Sequence, residues 1–66
     1  MEDRSRGDLE EGLRALDSLI GKSRKALEHL KPGTSQHTTL ARRLRAFTLA
    51  REIIAEKLEN LPASEN

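Results

Sequence analysis

Ser35, Gln36 and His37 place a hydroxyl, an amide and an imidazole in three consecutive positions, the one local group in the chain that suggests catalysis. A serine nucleophile needs a base within hydrogen-bond reach and a further group behind that base to orient it. The three aspartates stand at positions 3, 8 and 17. If the chain folds back on itself near residue 33, they lie at the opposite end from His37, so one chain does not assemble a triad. No enzyme activity is expected.

His29 and His37 flank the same segment and can approach across it, but two imidazoles need one or two more ligands to hold zinc. Glu28 is the nearby acid, and the chain has no cysteine. Gly7, Gly12, Gly21 and Gly33 are scattered and do not form a phosphate-cradling loop. No metal or cofactor is therefore expected.

The charges are distributed unevenly. Residues 18–51 carry eight cations against Glu28 alone, a net of +7, whereas residues 1–17 and 52–66 carry four cations against ten carboxylates, a net of −6. Lys22, Arg24, Lys25, Arg42, Arg43 and Arg45 are candidate phosphate-binding residues. The overall charge of only +1 and the single aromatic, Phe47, weigh against nucleic acid as the main partner.

Two helices must position these groups. Leu9, Leu13, Leu16, Ile20, Ser23, Leu27 and Leu30 follow the alternating four- and three-residue spacing of a helix seam, with Gly12, Leu19 and Ala26 running beside it. The spacing predicts a helix from about residue 8 to about 30, with Asp8 and Glu11 resembling a capping box and Ser5 as the competing cap. Gly21 is its weak point and a candidate kink. Gly12, Ser23 and Ala26 are small enough to permit close helix approach.

Pro32 disfavours helical geometry at Lys31, and Gly33 can take a positive φ, so the segment 31–34 reads as a turn. Thr34 or Ser35 caps the next helix. Leu40, Leu44, Phe47, Ala50, Ile54, Leu58 and Leu61 then mark a second helix from about 35 to about 60, stopped by Pro62. Residues 1–7 and 62–66 read as polar tails. In the resulting antiparallel hairpin, residue i stands beside residue 66 − i, which makes the turn half basic and the open half acidic.

The second helix adds Ala46, Leu49 and Ile53 beside its main stripe, widening its apolar arc to well over half the circumference. One neighbouring helix does not cover that. Ala46, Leu49, Ala50 and Ile53 are the expected interface for a second copy, or for a helical segment of another protein. Arg43 and Arg51, inside the same arc, either snorkel outward or meet carboxylates. Leu49→Asp is expected to abolish assembly.

Composition agrees with this all-α architecture. The 66 residues are 35% charged and 35% hydrophobic, with no Val to favour strands and no apolar run long enough to be a leader or a membrane span. Starting at Met1, the chain reads as one complete cytoplasmic module. The sequence thus predicts a non-enzymatic helical hairpin that pairs into an antiparallel four-helix bundle and works as a protein-interaction or regulatory module. The alternative is a bundle that contacts RNA or DNA phosphates through its basic turn half.

Overall fold

The computed structural model describes residues 6–61. Within them the fold is two α-helices, α1 (Arg6–Glu28) and α2 (Ser35–Glu59), packed antiparallel as a hairpin. No described helix is long and apolar enough to cross a membrane.

α1 begins two residues earlier than the spacing predicts. Arg6 and Gly7, expected in the tail, form its first turn together with Asp8. Asp8 is therefore not the cap; it stands inside the first turn, where a carboxylate favours the unpaired backbone N–H groups. Ser5, Pro62 and the remaining tail residues lie outside the described residues. The helix runs unbroken through Gly21.

The α-helical pattern of α1 ends at Glu28 and not at residue 30. His29 N–H donates to the Ala26 carbonyl at 3.0 Å and Leu30 N–H to that of Leu27 at 3.1 Å. These three-residue steps tighten the last turn and satisfy carbonyls that the ending helix leaves free.

Gly33 then adopts φ 91°, the left-handed conformation that a side chain resists. Thr34, in extended geometry, caps α2: its Oγ1 accepts from His37 N–H at 3.2 Å and donates back to the Lys31 carbonyl at 2.8 Å. One hydroxyl thus closes the turn and starts the helix. At the far end Asn60 N–H reaches the Glu56 and Lys57 carbonyls, both at 3.2 Å.

The seam residues predicted on both helices are all buried or half-buried. Leu9 and Ile20 are the buried apolar residues, with Ser23 buried one turn beyond Ile20, all three on α1. Leu19 and Ala26 depart from expectation. Both are exposed, because they sit about 75–95° round α1 from the seam centre, further round than Gly12 and beyond the reach of α2. Ala26 therefore does not serve close helix approach. Gly12 faces α2, and a Cβ added there would lie 3.8 Å from Ile54 Cδ1, an ordinary contact distance that leaves room for it. That contact, between residues 12 and 54, fits the predicted 66 − i register.

Candidate interaction surface

Two contacts fix how the hairpin's sides are arranged. On one side Arg51 Nε donates to Asp17 Oδ1, an ion pair joining the helices. On the other, Gly12 faces Ile54. Stepping about 100° per residue from these reference points assigns a direction to every other side chain.

The four predicted interface residues of α2 fan outward from the seam. Ala50 is half-buried and lies about 80° from the direction facing α1, whereas Ala46 and Ile53 lie about 120–140° away and are exposed. Leu49 points about 180° away, straight off the back of α2. Leu49 is 51% and Ile53 65% exposed. α2 contains no buried residue along its 25 positions.

Leu19 on α1, 41% exposed, is a further large apolar side chain left open. It was legible as one of the residues running beside the seam, but a flat helical wheel does not say which side a single partner leaves uncovered.

Of the two arginines inside the apolar arc, Arg51 meets a carboxylate within its own chain. The Asp17 hydrogen bond, reinforced by the Asp17 charge, raises the Arg51 guanidinium above its ordinary value. Arg43 is exposed and lines a shallow open groove with Ser35, Gln36, Thr39 and Leu40 at the start of α2.

The six candidate phosphate-binding residues are all exposed. They do not share a face. Arg24 and Arg45 project on the Asp17 side, Arg43 on the Gly12 side, and Lys25 and Arg42 off the two backs of the hairpin, with Lys22 between. They ring the turn half and form no continuous stripe.

Ser35 and Gln36 are exposed and His37 is half-buried, its backbone N–H taken by the Thr34 cap. His29 is exposed in the turn. Among the described residues no three His, Cys, Asp or Glu side chains gather into a metal-binding group.

No family model, curated protein or solved structure matches this chain.

Proposed function

We propose that this chain is a non-enzymatic interaction module: a helical hairpin that pairs with a second copy to form an antiparallel four-helix bundle and acts through protein contacts. The observation that carries this reading is that no residue of α2 is fully buried, while large apolar residues stand open on both helices. Helices gain most of their stability from packing an apolar face, and a chain of this size without disulfide or metal draws little from its own core. A second hairpin supplies the missing cover.

Charge supports the orientation. With the turns at opposite ends, the basic half of each copy lies over the acidic half of the other, whereas turns at the same end would set like charges together. Sedimentation equilibrium at micromolar concentration tests the reading. The expected mass is twice the 7.4 kDa of one chain, with dissociation favoured by added salt. A monomer under those conditions overturns it.

The alternative, phosphate contact through the turn half, draws on the exposure of all six cations. Their divergence round the hairpin favours a solvated ring over a groove-tracking stripe, so protein contact is the reading we adopt.

A further inference from the structure

We infer that the second copy docks on one particular side of the hairpin, the side carrying Gly12, Ala15 and Leu19 of α1 with Ala46, Ala50 and Ile53 of α2, each helix lying antiparallel on its own counterpart. This rests on the pairing proposed above and specifies its surface.

The two sides of the hairpin differ in chemistry. From Gly12, steps of three and four residues along α1 reach Ala15, Leu19, Lys22 and Ala26; the matching row on α2 is Arg43, Ala46, Ala50, Ile53 and Lys57. Most of these are small or apolar, and Leu19 and Ile53 stand exposed among them. Small residues let backbones approach to the roughly 8 Å lower end of helix packing, and the two larger side chains fill the space between. The Asp17 side instead presents Glu10, Asp17, Arg24 and Glu28 from α1, with Ala41, Thr48, Glu52 and Ala55 from α2, and no large apolar side chain stands exposed there. The first side is the less polar of the two, its three cations Lys22, Arg43 and Lys57 lying among small and apolar residues.

The size of the surface selects a hairpin as occupant. α2 alone is about 37 Å long at 1.5 Å per residue, and the molecule is 18 Å across, so the face presents roughly 670 Å² in projection. Stable interfaces bury about 800 Å² of accessible surface per partner. Only the whole face approaches that. A single helix about 10 Å wide covers half of it.

Symmetry then sets the arrangement. Two copies that present the same face are related by a two-fold axis lying in the interface, and turns at opposite ends require that axis to run across the helices. α1 is therefore placed on α1 and α2 on α2. With the axis at the level of residues 17 and 49, Lys22 comes within one residue of level with the partner's Glu11, an opposite charge at the outer edge of the contact. The reverse orientation lacks this pairing.

The experiment compares Leu19→Lys with Leu49→Lys by sedimentation equilibrium, helicity being followed by circular dichroism. Leu19→Lys is expected to reduce the mass from two chains to one, and Leu49→Lys, on the back of α2, to leave it at two, the opposite of the loss of assembly that the sequence alone leads one to expect from a charge at Leu49. Dissociation by Leu49→Lys, alone or together with Leu19→Lys, overturns the choice of face; a monomeric unsubstituted chain overturns instead the pairing on which it rests. Because the chain has no cysteine, Lys31→Cys carries a single spin label at the turn without touching the face. Labels roughly 35 Å or more apart are expected for turns at opposite ends, from the length of α2. Labels within about 20 Å overturn the orientation.

Discussion

Arg51 donates its Nε–H to the Asp17 carboxylate across 34 positions of sequence, pinning the middle of α2 to the middle of α1. Both side chains remain 40–51% exposed. Asp17→Asn is expected to lower the thermal midpoint slightly in dilute buffer and by less in about 1 M salt, where charge interactions reach only about 3 Å. Because Arg51 is raised, the stability that it contributes is complete at every pH below the ordinary arginine value and is lost only as pH climbs through the raised one. Arg51 should therefore add no pH dependence to thermal melts between neutrality and about pH 10.

Thr34 makes two hydrogen bonds with one hydroxyl, to His37 N–H and the Lys31 carbonyl. Thr34→Ala should cost about 1 kcal/mol in urea unfolding, with Thr34→Ser retaining most of it.

Two glycines should respond oppositely to alanine. Nothing lies within 4 Å of a Cβ added at Gly21, an interior helical position, so Gly21→Ala should stabilise by about 1 kcal/mol. Gly33, at φ 91°, also has open space, yet Gly33→Ala should destabilise by about 1–2 kcal/mol because the backbone itself resists a Cβ. Chemical denaturation of the two variants side by side checks the sign of each.

Arg42→Glu with Arg45→Glu separates the two functional readings. With protein contact as the function, the unsubstituted chain should not retard mixed RNA or duplex DNA in gels at about 150 mM salt. Retardation that the double substitution abolishes would establish the phosphate-binding alternative instead.

The helices, their seams and the turn were legible because each has a strong local signal: leucine spacing for the seams, Pro32-Gly33 for the reversal, a hydroxyl for the cap. The start of α1 was less so. Gly7 and Asp8 both look like helix boundaries, but both are tolerated in a first turn, whose N–H groups have no intrahelical partner and favour a nearby carboxylate, so the helix extends through them to Arg6. The Arg51 partner was out of reach for a different reason. Spacing placed an arginine inside the apolar arc, whereas choosing Asp17 requires knowing which sides of two helices meet. The same limit applied to Leu19, whose exposure depends on where α2 sits and not on its own neighbours in sequence.

The antiparallel course of α1 and α2 brings Arg6 and Leu61 to the same end, remote from Gly33. A fusion, tether or fluorophore joined upstream or downstream is thus delivered to one pole of the rod. The opposite pole, built round Lys31 to Thr34, is left clear for surface immobilisation.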